Sequence, residues 1–258
     1  MRDKKTYIFL LIIILTFGIA MFVFFAIPEI KDKKKKATFI VGNDTIWQYK
    51  DKTLSNINSS LSKNLNWEQF KLYSDNKYLG NYYLVKDDQW YVFDKNKNAI
   101  NLNGQIFAYK SNYKINLLDF TTKKISTDKY VNQVLSENNI SSSSKFTSLT
   151  KTDVDIDNDG ELESLYVVSN VFIDDVIPQY TFSFVFMVKE NKIYKIYNDV
   201  RKFTAYGSCL PKITSILDID GDGTYELILS CGKYSIQGNI DMLYHYDSSE
   251  FKILISNQ

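Results

Sequence analysis

The chain has 258 residues but only three prolines, two cysteines and one histidine, and each scarcity excludes something. With two cysteines and one histidine, no Cys/His spacing of a zinc site occurs. The lone histidine, His245, leaves little material for Ser/His catalysis, and neither a Gly-x-Ser-x-Gly turn nor a phosphate-cradling glycine loop occurs. Flanked by Tyr244 and Tyr246 in a strand-like run, His245 reads as a packed or surface side chain. These absences predict a protein that is not an enzyme. Proline is scarce while lysine, asparagine, isoleucine and tyrosine abound, which reads as the codon bias of an AT-rich bacterial genome rather than a structural choice.

A marked excess of one charge is also missing. The formal net charge is +1, but eight of the 31 Lys/Arg lie in the first 36 residues beside three of the 30 acids. The remaining body therefore holds 23 basic and 27 acidic residues and is mildly acidic. Its lysines are interspersed with Asp and Asn rather than gathered with aromatic platforms, so a nucleic-acid partner is excluded. Trp47, Trp67 and Trp90, with the many tyrosines, read as sheet core and cross-strand pairs rather than as a glycan-binding surface.

From Tyr7 to Ile27 no residue is charged. As a helix, that run spans roughly 30 Å, the thickness of a bilayer's hydrocarbon core, and it predicts a transmembrane anchor. A cleaved signal peptide would have a shorter apolar run ending in small residues, whereas Phe22 to Ile27 stay bulky up to Pro28. No cysteine precedes Cys209, which removes a lipid-modified N-terminal cysteine. A lysine-rich stretch, Lys31 to Lys36, follows.

Beyond it, short runs of Tyr, Phe, Ile and Val alternate with Asn, Asp, Gly and Lys clusters, the pattern of strands and turns. Strands are predicted at Thr45 to Tyr49, Phe70 to Tyr73, Tyr82 to Val85, Trp90 to Phe93 and Ile106 to Tyr109. One helix is predicted from Asp128 to Asn138, with Asp128 as N-cap and Tyr130, Val131, Val134 and Leu135 at helical spacing. The serine run Ser141 to Ser144 reads as a linker. The body divides on this reading into a β-rich region, 37–145, and a C-terminal region, 146–258.

The C-terminal region repeats itself. Asp155-Ile-Asp157-Asn-Asp159-Gly160-Glu161-Leu-Glu163 recurs 63 residues later as Asp218-Ile-Asp220-Gly-Asp222-Gly223-Thr224-Tyr-Glu226. A β-prone stretch enters and another leaves each copy, so each is the tip of a hairpin. Carboxylates at positions 1, 3 and 5 of a tight loop converge and repel one another unless a hard cation sits among them. Glycine at position 6 allows the sharp turn, the backbone carbonyl of Glu161 or Thr224 can turn inward at position 7, and Glu163 or Glu226 closes the site. The pattern predicts two calcium ions. An EF-hand is excluded, since position 12 is Tyr166 or Leu229 inside a strand where a bidentate glutamate and a following helix belong. Dockerin-like modules are excluded for the same want of a helix.

The two loops resemble the calcium-binding hairpins of FG-GAP or integrin-α-type β-propeller repeats, in which an Asp-x-Asp-x-Asp-Gly-x-x-Asp/Glu loop joins two strands of a blade. The resemblance covers 146–258 and lacks the Phe-Gly and Gly-Ala-Pro tripeptides of that family. It implies four antiparallel strands per unit. In the first these are Phe146 to Val154, Leu162 to Ser169, Tyr180 to Lys189 and Lys192 to Asn198. In the second they are Ile213 to Asp218, Tyr225 to Cys231, Asp241 to Tyr246 and Phe251 to Ile255. The expected fold is all-β, a transmembrane helix followed by a small or incomplete β-propeller-like domain; a separate β-sheet domain preceding two blade-like units is the alternative.

Cys209 and Cys231 are equidistant from residue 220, the centre of the second loop, and in a regular hairpin they face each other. The corresponding residues of the first unit, Phe146 and Val168, would form an apolar cross-strand pair. A disulfide is expected, with two buried thiols as the alternative. Lysine counts on the two sides of the anchor would keep the body in the cytoplasm. The calcium loops and the cysteine pair argue for the outside, which is the expectation adopted. Two function classes follow: a surface-displayed module that binds a protein or cell-wall glycan, or an accessory subunit or enzyme with its site in 37–145.

Overall fold

Aromatic and β-branched runs become strands throughout the computed structural model, which describes residues 38–41, 46–50, 53–57, 64–74, 77–87, 90–101, 106–110, 115–171, 180–202, 209–232 and 239–256. All strand pairs are antiparallel. The described residues are all-β with one short helix. The transmembrane segment expected at 7–27 and the lysines after it lie outside the described residues. Among the described residues no helix is long and apolar enough to cross a membrane.

The first sheet contains β1 (Thr38–Val41), β2 (Ile46–Lys50), β3 (Thr53–Asn56), β4 (Glu68–Ser74), β5 (Lys77–Lys86), β6 (Trp90–Phe93), β7 (Ala99–Ile100) and β8 (Ile106–Lys110). Its order is β3-β2-β1-β8-β4-β5-β6-β7, with β8 inserted between β1 and β4. The second sheet is a meander of β11 (Ser148–Val154), β12 (Glu163–Asn170), β13 (Tyr180–Lys189) and β14 (Lys192–Lys202), extended at its β11 edge by β10 (Thr122–Lys124). The third repeats that meander with β15 (Leu210–Asp218), β16 (Glu226–Gly232), β17 (Asn239–Tyr246) and β18 (Phe251–Ser256), extended at β15 by β9 (Asn116–Leu117).

Period-2 alternation assigns the strand residues to opposite faces and so builds a stack. Leu165, Val167, Val185 and Met187 of the second sheet meet Ile216, Leu227, Leu229, Met242 and Tyr244 of the third in one core. On the other face of the second sheet, Tyr166, Val168, Phe182, Phe184 and Phe186 lie under helix α1 (Lys129–Glu137), which contributes Val131, Val134 and Leu135. On the other face of the third, Leu217, Ile228 and Leu243 pack on Trp47, Phe107 and Tyr109 of the first sheet. Phe70, Leu72, Leu84 and Val92 form a further core in the first sheet. Sheets covered on both faces explain why burial along β13 and β16 is continuous rather than alternating.

The meander strands of the second and third sheets overlap the strands predicted for 146–258, and each sheet has a fifth strand, β10 or β9, that was not predicted. The division at residue 145 requires correction. β9 pairs with β15, β10 pairs with β11, and α1 packs on the second sheet, so residues from 115 onward belong with the C-terminal sheets. Of the tryptophans, Trp47 is fully buried, whereas Trp67 is exposed beside Phe93.

The cysteines are bonded, Cys209 to Cys231, with Cα atoms 5.3 Å apart. They do not face each other as predicted. Cys231 has Pro211, two residues from Cys209, as its Cα partner, so the bridge runs diagonally across the hairpin. Likewise Val168 pairs with Leu149, not with Phe146.

Candidate functional site

Both acidic loops are set by the same cross-strand frame. Val154 pairs with Glu163 at the end of β11 and β12, and Leu217 pairs with Glu226 at the end of β15 and β16. The connections, 155–162 and 218–225, therefore have one length. Positions 4 and 6 are left-handed in each: Asn158 at φ 58° and Gly160 at φ 91°, Gly221 at φ 76° and Gly223 at φ 96°. Asparagine and glycine are the residues that tolerate this conformation.

The aspartates organise the turn by accepting backbone hydrogen bonds. Asp155 accepts from the N–H groups of Asp159 and Gly160, both at 3.0 Å. Asp218 accepts from Gly221 at 2.6 Å and Gly223 at 3.3 Å. At position 5, Asp159 accepts from Glu161 N–H at 2.8 Å and Asp222 from Thr224 N–H at 2.7 Å. Asp220 accepts from Asp222 N–H at 3.1 Å. The outcome is convergence: carboxylate oxygens of Asp155, Asp157 and Asp159 lie within 4.8 Å of one another, and so do those of Asp218, Asp220 and Asp222.

The closing glutamates act differently from the aspartates. Glu163 and Glu226 are each 1% exposed, and their Oε2 atoms accept from the backbone N–H of Ile156 and Ile219, at 2.8 Å in both loops. They clamp the buried position-2 isoleucine that anchors each loop in the core. Glu161 is exposed, and it and Thr224 meet their loops through backbone N–H groups. Tyr225 N–H donates to Ile156 carbonyl at 2.8 Å, so the two loops lie side by side at one end of the facing sheets.

Two basic residues that the motif did not reveal complete the picture. Lys189, at the end of β13, places Nζ 2.7 Å from Asp157 Oδ2, 2.6 Å from Asp159 Oδ2 and 3.1 Å from Glu163 Oε1. His245, near the end of β17, places Nδ1 2.9 Å from Glu226 Oε1. Burial opposes the Lys189 charge, yet its three carboxylate partners outweigh this and push its pKa up. Burial raises the pKa of Glu163 and of Glu226, against the pull of Ile156 N–H and Lys189 in one and of His245 and Ile219 N–H in the other. Lys189 in turn holds Asp159 below the usual carboxylate range, and Glu226 raises the pKa of His245. The signal that could have exposed both residues is a basic side chain at the end of the third strand of each unit.

The donor set fits a hard cation. Every side-chain donor is a carboxylate oxygen, and oxygens about 2.4 Å from a common ion are no more than about 5 Å apart, which both triads satisfy. Asp157 Oδ1 is buried without a hydrogen-bond partner. Two acidic clusters able to hold metal ions are thus present at one end of the molecule. Comparison with known proteins finds no family model, no curated protein and no solved structure that matches the chain.

Proposed function

We propose that this chain is a membrane-anchored, non-enzymatic interaction module whose exposed β body is stiffened by calcium in its acidic loops. The observation that carries the reading is the duplicated loop geometry: two aspartate triads of the same length, backbone conformation and glutamate clamp, set side by side. Clustered carboxylates repel one another, and a divalent cation removes that cost by binding the folded loop but not the unfolded chain. Calcium suits an all-oxygen set on flexible hairpins better than magnesium, which demands near-octahedral geometry and keeps its waters. The ion's role is structural. Residues 7–27 hold the chain in the membrane, with the blade-like units on the outer side, where calcium is plentiful and the Cys209–Cys231 bond persists. The partner is a protein or cell-wall glycan.

Calorimetric titration of the purified chain with calcium, followed by thermal melting, tests this reading. Calcium should bind, raise the melting temperature by several degrees and lose both effects in Asp157→Asn/Asp220→Asn. Unchanged melting at millimolar calcium would reduce the loops to ordinary turns.

A further inference from the structure

The first acidic loop already contains a cation. Lys189 Nζ contacts Asp157, Asp159 and Glu163 with its side chain only 14% exposed. The residue in the corresponding place of the second loop, His245, reaches Glu226. We propose that Lys189 is the resident cation of the first loop, so that the chain takes one calcium ion, in the second loop, rather than the two its motifs imply. The inference rests on the calcium reading of the second loop given above.

The carboxylates that Lys189 engages belong to positions 3, 5 and 9, those an incoming calcium ion would have to draw to about 2.4 Å. An ammonium and a divalent ion cannot share them, because the two positive charges would sit a few ångströms apart where little water screens them. Calcium would have to expel the lysine. That is opposed by tethering: Lys189 ends β13 and is paired with Lys192 across the tight β13–β14 hairpin, which holds its side chain at the loop. A side chain held so competes at an effective concentration on the order of millimolar or above. Meeting three of the loop's carboxylates at once, the ammonium raises the calcium concentration at which the first loop fills above that of the second. Asp157 Oδ1, though unpartnered, belongs to a carboxylate whose charge Lys189 already meets through Oδ2.

In the second loop the imidazole is hydrogen-bonded to one carboxylate, that of the glutamate already turned onto Ile219 N–H, and Asp222 and Asp220 act on it through their charge, while the three aspartates converge within 4.8 Å. The basic side chain thus sits among position-3 and position-5 carboxylates in one loop and beside the position-9 carboxylate in the other. Two copies of one motif diverge in what fills them.

Calorimetry with calcium chloride on the full chain in detergent, wild type beside three variants, decides the matter. One ion is expected in the wild type, one in Asp157→Asn, none in Asp220→Asn and two in Lys189→Met. Two ions in the wild type, or loss in Asp157→Asn with retention in Asp220→Asn, would overturn the inference and leave calcium binding standing. No ion in the wild type but one in Lys189→Met would overturn the calcium reading of the second loop and uphold the lysine's role; none in either would overturn both. Should Lys189→Met fail to fold, the wild type and the two aspartate variants still separate one site from two.

Discussion

Lys189 and His245 hold the same register position in their two sheets, one residue beyond the pairs Ser164–Val188 and Leu227–Tyr244, and each reaches the glutamate that closes its loop. The third strand of each meander thereby delivers a basic side chain to the loop between the first two. Each glutamate has two duties, since it also accepts the backbone N–H at position 2. A buried carboxylate with two partners is stable where one with none would not be.

Truncating that glutamate separates the duties. Glu226→Ala strands the buried Ile219 N–H and leaves His245 without its partner, a loss of about 2 to 4 kcal/mol. Glu226→Gln keeps an acceptor for Ile219 and loses the charge, so its cost should be about half. Urea denaturation in the presence of EDTA measures both. Equal losses would place the whole effect on the ion pair and none on the backbone bond.

Reducing the disulfide tests how far the third sheet depends on it. Cys209 and Cys231 are 22 residues apart, and the chain-entropy model assigns a bond closing such a loop about 3 kcal/mol. Denaturation with and without dithiothreitol, with Cys209→Ser/Cys231→Ser as reference, should show that shift. A shift under about 1 kcal/mol would mean that the core of β15 and β16 holds the hairpin closed by itself.

Strands were legible where residue type and length agreed. β6 and β13 fall on Trp90–Phe93 and Tyr180–Lys189 as predicted, and α1 lies between the predicted caps, Asp128 and Asn138. The boundary at 145 failed because the strands that contradict it, β9 and β10, are two and three residues long, too short to carry a periodic pattern. The order of the first sheet was hidden for another reason: β8 enters between β1 and β4 through pairings distant in sequence, which periodicity does not encode. The acidic triads were legible because their carboxylates are close together in sequence. Lys189 and His245 were not, since the segment between β12 and β13 differs in length from that between β16 and β17. The 63-residue offset that relates the loops carries Lys189 onto Lys252, in β18, instead of His245.

Asp128 joins helix to sheet and should be sensitive to substitution. Its Oδ1 accepts from Tyr130 N–H at 2.8 Å as the N-cap, and its Oδ2 accepts from the hydroxyl of buried Tyr166 at 3.0 Å. Asp128→Ala removes both, at about 1 kcal/mol for the cap and a similar amount for the tyrosine, roughly 2 kcal/mol in all. Asp128→Asn keeps an acceptor for each and should cost under about 1 kcal/mol. Chemical denaturation followed by far-ultraviolet circular dichroism reads the difference.

Two buried tyrosines, Tyr166 and Tyr244, and the partly buried Tyr197 make stability depend on pH in alkali. Burial first, and then the neighbouring Asp128 carboxylate, raise the pKa of Tyr166. Burial pushes Tyr244 up to about 12, and burial with Asp199 brings Tyr197 to about 12. In the unfolded chain all three titrate near the ordinary tyrosine value of about 10. The unfolded state therefore loses these protons first, so stability is full below about pH 10 and declines as pH rises above it, with a limiting slope of about 1.4 kcal/mol per pH unit for each tyrosine. Tyr166→Phe removes one ionisable group from both states. Its stability should accordingly fall less steeply than that of the wild type above pH 10, even if it is lower at neutral pH for loss of the Asp128 contact. Urea denaturation at intervals from pH 9 to 11, with tyrosinate absorbance recorded alongside, gives both slopes, and identical slopes would show that Tyr166 ionises in the folded protein as readily as in the unfolded chain.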